Sequence, residues 1–431
     1  MRGCLKICYH GKMQQKDFFV WLAITALLVP LFSNADIADL QSKISAREQE
    51  LAALEKEIAG YQGELEKLGG EANTLKNAIA ALDVTRRKLL AEITVTESKI
   101  AAVNLSIDAL TENIGVQETR IGRGSAGLQK TLRILAESDR ASGIAIFLGD
   151  GGFSGAWLEA DALALVQARL AERVREVKEL KTDLEENRTA ADAKRRELTG
   201  LKAELADRKR IADGERGKQQ SFLNQTKNKE TNYQKLLADR VARRDAFEQE
   251  LLEYELQLQF ELDPSRLPTA GSGVLRWPLD AVKITQYFGN TPFAKSGAYN
   301  GQGHNGVDFR AAVGTPVKSA LSGIVRGVGD TDLTCAGASY GKWVLIEHGN
   351  GLTTLYAHFS LMRVVAGQSV ATGEVIGYSG ATGYATGPHL HFTVFATQGV
   401  QISKRPSRVC GRDYTMPVAN PNAYLNPLSY L

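Results

Sequence analysis

The sequence has few cysteines and almost no net charge. Its 431 residues include four cysteines, Cys4, Cys8, Cys335 and Cys410, and its 52 basic and 49 acidic side chains leave a formal charge of +3. A charge so close to balance gives no reason to expect a nucleic-acid partner. The length leaves room for about two or three domains.

The sequence also lacks a hydrophobic run long enough to span a bilayer, which takes about 20 residues. The longest candidate, residues 18–32, follows Lys12 and Lys16 and is followed by small residues up to Ala35. Such a pattern is typical of a secretory signal peptide. We predict cleavage after Ala35 and export to the periplasm or cell wall, with an uncleaved membrane anchor as the alternative. A start at Met13 would remove the first two cysteines.

Apolar side chains recur at intervals of three and four over residues 37–121. A repeat of 3.5 residues sustained this long predicts a left-handed coiled coil, because only that spacing keeps the apolar stripe facing one partner. As one helix this segment would be about 130 Å long. A second helical region, with a looser repeat, spans about residues 161–262, after a glycine-rich break near residues 141–160. An antiparallel hairpin is the simplest arrangement, and a parallel dimer is the alternative.

The helical pattern ends before Pro264, since the residue that precedes a proline disfavours helix. Short alternating runs between glycines then predict an all-β domain. Within it, Asn350-Gly351 between two strand-like runs predicts an antiparallel hairpin. The predicted fold is therefore multidomain, a long α-helical coiled coil followed by an antiparallel-sheet domain. Its predicted parts are a signal peptide (1–35), a coiled coil (36–262), a linker (263–274) and a β domain (275–431).

Five of the six histidines lie in the C-terminal half: His304, His348, His358, His389 and His391. If residues 389–394 form a strand, His389 and His391 share one face while Leu390, Phe392 and Val394 point into a core.

His304 and Asp308 would be about 13 Å apart in a straight strand, but Gly306 allows the chain to bend. Two histidines and a carboxylate are the ligands of a catalytic zinc ion that keeps a position open for water. His-x-His alone also occurs by chance on exposed strands. The combination of this motif with His304, Asp308 and His358 favours a catalytic metal site.

Residues 275–396 resemble the lysostaphin/LytM-type zinc endopeptidases, the Peptidase_M23 family with the duplicated hybrid motif fold. The matching strings are His304-x-x-x-Asp308, Gly314-Thr315-Pro316-Val317, Tyr356-Ala357-His358, Ser379-Gly380-Ala381-Thr382-Gly383 and Thr386-Gly387-Pro388-His389-Leu390-His391-Phe392. The resemblance implies a zinc metalloendopeptidase that cuts peptide bonds of bacterial peptidoglycan.

The resemblance also implies residue roles. His304, Asp308 and His391 would hold Zn²⁺, and His358 and His389 would be catalytic, one taking a proton from water and the other stabilising the oxyanion. Which histidine does which stays open. The family often has a glutamate where this chain has Thr393. His348 lies in the middle of the hairpin, and we interpret it as structural.

Two other functions compete with this interpretation. Coiled coils joined to such domains also resemble non-catalytic activators of cell-wall amidases, which have degenerate metal sites, whereas all five site residues are present here. Two histidines and a carboxylate also hold non-haem iron. The signal peptide, His358 and His389 argue against an iron oxygenase.

Two expectations concern covalent structure and control. Cys335 and Cys410 are the two cysteines of the exported part, and we expect a disulfide between them.

A working wall hydrolase endangers its own cell. We therefore expect the coiled coil, with the apolar stretches at residues 144–148 and 153–158, to hold the catalytic domain closed or to bind a division-site or membrane partner.

Overall fold

A computed structural model describes residues 34–69, 74–138, 152–258, 262–291, 294 and 303–431. Residues 1–33 of the predicted signal peptide and residues 141–151 of the glycine-rich break, with the apolar stretch 144–148, lie outside the described residues. Within these ranges the N-terminal part forms four helices: α1 (Asn34–Gly69), α2 (Leu75–Ser138), α3 (Gly152–Thr226) and α4 (Glu230–Gln257). None of the described helices contains an apolar stretch long enough to cross a membrane.

The expected single helix over residues 37–121 is divided between α1 and α2. Helix α1 ends at Gly69, at a Gly-Gly pair in the sequence. Glycine has the poorest helix propensity after proline, so two in succession favour a helix end even where the apolar repeat continues. The 3.5-residue repeat predicted helix correctly but did not reveal this interruption.

The chain divides into two compact units, residues 1–48 with 102–197 and residues 49–101 with 198–431. In the first unit α2 and α3 run antiparallel. Asn187 Nδ2 donates to Gln117 Oε1 at 3.0 Å, and Arg120 lies 3.8 Å from Glu176. Moving forward along α2 thus corresponds to moving backward along α3. The two helices pair within one chain, as the predicted hairpin requires.

The second unit contains the break between α3 and α4. Lys227 and Asn228 adopt positive φ angles of 48° and 53°, which stops the helix. Glu230, the first residue of α4, then accepts a hydrogen bond from the backbone N–H of Leu75 at 2.8 Å. That N–H is one of the donors left free at the start of α2, so the carboxylate caps the helix.

The C-terminal part is built from antiparallel strands, as predicted. Those described are β1 (Ile284–Gln286), β2 (Val307–Arg310), β3 (Pro316–Lys318), β4 (Gly323–Asp330), β5 (Lys342–His348), β6 (Leu352–Ala357), β7 (Phe359–Met362), β8 (Ser369–Val370), β9 (Val375–Ser379), β10 (His389–Ala396), β11 (Val400–Pro406), β12 (Asp413–Ala419) and β13 (Tyr424–Leu425). The largest described sheet has the order β1-β2-β10-β6-β5-β4-β8, with β13 also paired to β10. Strands β3-β9-β7 form a second sheet, and β11-β12 form a hairpin.

The hairpin predicted around Asn350-Gly351 is confirmed. Strands β5 and β6 are antiparallel, with Val344 opposite Tyr356 and Glu347 opposite Thr353. Gly351 has a φ of +86°, and a Cβ there would lie 2.0 Å from the carbonyl oxygen of Arg266. Glycine is therefore required at this turn by both conformation and space.

Helix α4 packs against the β domain on the side of the β11–β12 hairpin. Phe247 belongs to the same buried apolar cluster as Tyr340, Tyr414 and Met416. Leu251 packs against this cluster too. No sequence pattern predicted that the last helix shares a core with the sheet, because the contacts join residues far apart in the chain.

Cys335 and Cys410 form a disulfide with a Cα–Cα distance of 5.7 Å, within the usual range for such a bond. Cys335 is buried, and Cys410 follows β11. The bond attaches the loop before β5 to the C-terminal hairpin.

Candidate metal and catalytic site

Strand β10 carries His389 and His391. The side chains of Leu390 and Phe392 are buried in the core of the β domain, so the two imidazoles point to the opposite face, as the alternation predicted. Strand β10 pairs with β2 in a register that sets His391 opposite Asp308. A histidine and a carboxylate from neighbouring strands therefore lie side by side.

His304 reaches the same place because the chain bends before β2. Its Nε2 lies 3.3 Å from Oδ1 of Asp308, which a straight strand would not allow and which the expected bend at Gly306 explains. A Cβ on Gly306 would lie 2.6 Å from the carbonyl oxygen of Phe392 and 2.8 Å from Cε1 of His391. Gly306 is therefore required by the close approach of the neighbouring strand.

Three donor atoms converge at this point. Nδ1 of His391 lies 2.9 Å from Oδ1 of Asp308 and 3.2 Å from Nε2 of His304. The remaining ring nitrogens have their own partners: Nδ1 of His304 lies 3.1 Å from the carbonyl oxygen of Tyr287, and Nε2 of His391 lies 2.9 Å from Oγ1 of Thr393. Such partners fix the tautomer and leave the converging nitrogens free to bind a metal.

His304, Asp308 and His391 are all buried, and their candidate ligand atoms lie within 4.8 Å of one another. Two imidazoles and one carboxylate are a donor set that zinc prefers, and three protein ligands leave a fourth position open. The residues present therefore fit a catalytic zinc ion.

His358 and His389 lie beside this cluster, with ring centroids 4.6 Å apart. His358 adopts a φ of +62°, a strained conformation that tends to occur at functional sites. Its Nδ1 lies 2.8 Å from the carbonyl oxygen of Thr382, and Nδ1 of His389 lies 2.8 Å from that of Gly387. Both rings thus direct Nδ1–H at a carbonyl, which places the lone pair of each ring on Nε2.

The electrostatics favour neutral rings at His358 and His391 beside an ionised Asp308. Burial, together with nearby His389 and His391, lowers the pKa of His358 well below its usual value. Burial also lowers the pKa of His391, against the opposing effect of Asp308. Burial alone would raise the pKa of Asp308, but His304, His389 and His391 outweigh it and hold that pKa well below its usual range. These are the protonation states that metal binding requires.

His348 lies at the end of β5 and uses both ring nitrogens elsewhere. Nδ1 lies 3.1 Å from the carbonyl oxygen of Ser322, and Nε2 lies 2.8 Å from Oγ1 of Thr354. Burial lowers the pKa of His348. These contacts support the structural role predicted for it.

The sequence did not reveal two side chains that border the site. The ring of Tyr340 stacks on that of His391, with centroids 5.8 Å apart and an interplanar angle of 29°. Asn305 Nδ2 donates to the Tyr340 hydroxyl at 3.3 Å. Asn305 lies inside the His304–Asp308 motif and was a usable signal, whereas Tyr340 lies in a loop without a periodic pattern. At position 393 the threonine hydroxyl is the group that contacts His391.

The fold and the site together resemble those of metallopeptidases with a β domain. Residues 302–403 match the family model of Peptidase family M23, which confirms the resemblance for the C-terminal domain. The chain is 44% identical over 89 residues to the peptidoglycan DD-endopeptidase ShyA of Vibrio cholerae, covering 21% of this chain and 19% of that protein. It is 34% identical over 137 residues to the cell division protein DipM of Caulobacter vibrioides, covering 32% of this chain and 20% of that protein.

The match to the DD-carboxypeptidase/endopeptidase Mpg of Neisseria gonorrhoeae, at 44% identity, covers 21% of this chain and 19% of that protein. The chain thus covers about a fifth of the length of each of these relatives. Among solved structures, the catalytic domain of lysostaphin from Staphylococcus simulans is 29% identical, with a TM-score of 0.26, covering 34% of this chain and 90% of that one. A zinc-containing peptidase from Vibrio cholerae is 32% identical, with a TM-score of 0.24. The match covers 31% of this chain and 36% of that one.

Proposed function

We propose that the protein is a zinc-dependent endopeptidase that hydrolyses peptide bonds of bacterial peptidoglycan. The observation that carries the proposal is the convergence of His304, Asp308 and His391 beside two further histidines, His358 and His389. The family match over residues 302–403 supports peptide hydrolysis. The relative named a peptidoglycan DD-endopeptidase supports the substrate class.

His304, through Nε2, and His391, through Nδ1, would hold the zinc ion together with the Asp308 carboxylate. When bound, zinc acts as a Lewis acid and lowers the pKa of water toward neutrality. The chain's own contribution is to hold the ligands in fixed tautomers through Tyr287 and Thr393. Pre-set ligands of this kind reduce the reorganisation that binding and reaction require.

His358 is the proton acceptor in this proposal. Burial lowers its pKa, so the ring is neutral at pH 7, and the contact between Nδ1 and Thr382 leaves the Nε2 lone pair available. His389 has its Nε2 3.7 Å from Oδ1 of Asp308. The proposal assigns to His389 the hydrogen bond to the developing oxyanion.

Digestion of purified sacculi by the full-length protein tests this function. Mass analysis of the released fragments should show new amino and carboxyl termini within the stem peptides or their cross-links. Asp308→Ala serves as the matched inactive control. Fragments in which whole stem peptides are separated from the sugars would indicate an amidase and contradict the proposal.

The test also separates the rival functions. No release by the purified protein, together with faster release by an added cell-wall amidase, would support the non-catalytic activator.

The proposal includes export to the periplasm or cell wall, since the substrate lies there. A division-site or membrane partner that binds the helical region remains a proposal, and pull-down from cross-linked cells would test it.

A further inference from the structure

Tyr340 and Tyr424 link helix α4 with the surroundings of the candidate metal ligands. The ring of Tyr340 stacks on His391, and the carbonyl oxygen of Tyr340 accepts the backbone N–H of His358 at 3.0 Å. Tyr340 is 4% exposed. Its position therefore affects one candidate metal ligand and one candidate catalytic histidine directly.

The hydroxyl of Tyr340 accepts a hydrogen bond from Asn305, the residue next to His304. Tyr424 packs against the buried cluster that contains Tyr340, and the two side chains influence each other's pKa. Burial raises the pKa of Tyr340 above its usual value, so the hydroxyl keeps its proton. The hydrogen bond from Asn305 and the stacking on His391 hold the ring of Tyr340 in place.

On α4 the contact is made by Glu255. The Tyr424 hydroxyl donates to the Glu255 carboxylate. Glu255 is 6% exposed. Glu255 thus holds Tyr424, which packs against the cluster that contains Tyr340.

A buried carboxylate here is costly. Burial raises the pKa of Glu255 to about 7, although the nearby Arg405 guanidinium opposes this rise. Helix α4 already has apolar anchors in Phe247 and Leu251. An apolar residue at position 255 would pack at lower cost, so the carboxylate has a use other than attaching the helix.

We propose that Glu255 is a positioning residue, which acts through Tyr424 and Tyr340 to hold the ring of His391 and the side chain of Asn305. In this proposal, α4 helps to hold the candidate metal-binding side chains in position. The inference deepens the proposed function and rests on it for the identity of the site.

The test compares full-length variants by three measurements: affinity for Co²⁺ by chelator competition, the visible absorption spectrum of the Co²⁺-loaded protein, and the thermal unfolding midpoint. Glu255→Leu and Tyr424→Phe should each weaken Co²⁺ binding about tenfold, the lower end of the effect of losing partners of metal ligands. Each should also change the Co²⁺ spectrum. Glu255→Gln keeps an oxygen that accepts from Tyr424 and should restore wild-type binding.

Glu250→Leu is the matched control. Glu250 is also a buried carboxylate of α4, but it accepts hydrogen bonds from Ser407 and the backbone N–H of Arg408. Its removal should lower the unfolding midpoint and leave Co²⁺ affinity within about twofold of the wild type, because its partners do not contact the ligands.

Wild-type Co²⁺ affinity and spectrum in Tyr424→Phe and Glu255→Leu would overturn the proposal, as would an equal loss of affinity in Glu250→Leu. These measurements require no peptidoglycan. A wild-type protein that binds Co²⁺ but leaves sacculi intact would therefore contradict only the proposed function. A wild type that binds no Co²⁺ would overturn both.

Discussion

Strand β10 and helix α3 differ in how they bury their side chains. In β10 the seven residues 390–396 are buried in succession. Helix α3, over its 75 residues, buries side chains at wide intervals, for example Leu180, Ala191 and Ile211. A residue of β10 is held by neighbours on several sides, whereas one on α3 mostly faces water along much of its surface. Single substitutions should therefore have large effects in the β domain and small ones on the helices, with α4 as an intermediate case.

The largest effect is expected at the ligand cluster. His391→Ala should lose both metal and hydrolysis, because it removes one of three protein ligands. His358→Ala should keep the metal and lose about 10²- to 10⁴-fold in rate, as expected for loss of a general base. Metal content by elemental analysis and hydrolysis of sacculi measure the two effects. Metal loss in His358→Ala with retention in His391→Ala would show that the ligand assignment is wrong.

The disulfide should have the next largest effect. Cys410→Ser should lower the free energy of unfolding by about 2–5 kcal/mol, because a bond that closes a long loop restricts the unfolded chain. Denaturant unfolding of the wild type and the variant gives this difference. A non-reduced digest should contain a linked peptide pair with Cys335 and Cys410, and two free thiols at these positions would refute the bond.

Glu255 should make stability depend on pH. Its pKa in the folded protein is about 7 against a usual 4.5, so the folded state binds the proton more tightly than the unfolded state. The free energy of unfolding should therefore fall as pH rises from about 4.5 to about 7, by roughly 3 kcal/mol. Glu255→Gln should remove this part of the slope, whereas Glu250→Gln should keep it. The same slope in Glu255→Gln as in the wild type would rule out this residue as the source.

Gly306→Ala should destabilise the β domain by about 1–3 kcal/mol, because the added Cβ would overlap the backbone of β10. The variant should also bind metal more weakly, since His304 and Asp308 flank the bend. Gly349→Ala is a suitable control, as a Cβ there would meet nothing within 4 Å. Similar unfolding midpoints for the two variants would contradict the close approach described at Gly306.

The smallest effect is expected on α3. Leu165 is 63% exposed, and Leu165→Ser should change the free energy of unfolding by less than about 0.5 kcal/mol. Sedimentation should show a monomer for both proteins, as the antiparallel pairing within one chain implies. A dimer that dissociates in the variant would instead support the parallel coiled coil.

Local sequence patterns predicted those features of the fold and of the site that depend on neighbouring residues. Alternation in β10 set His389 and His391 on one face, the Asn350-Gly351 turn predicted the β5–β6 hairpin, and Gly306 indicated the bend. Each of these signals lies within a few residues of the feature it predicts.

The parts that the sequence did not reveal depend on distant contacts. Tyr424 and Glu255 are 169 residues apart, and no periodicity links such positions. The division of the first helical stretch into α1 and α2 was missed for another reason: the apolar repeat continues across the glycine pair, so the pattern outweighed the weaker local signal.

Removal and return of the metal test the central claim most directly. The full-length protein, treated with a chelator and then dialysed, should cut sacculi only after Zn²⁺ is added back, and Asp308→Ala should stay inactive with or without Zn²⁺. Hydrolysis of peptide bonds restored by Zn²⁺ in the wild type alone is the result the account predicts. Full activity in the metal-free protein, or recovery with Fe²⁺ and not with Zn²⁺, would contradict it.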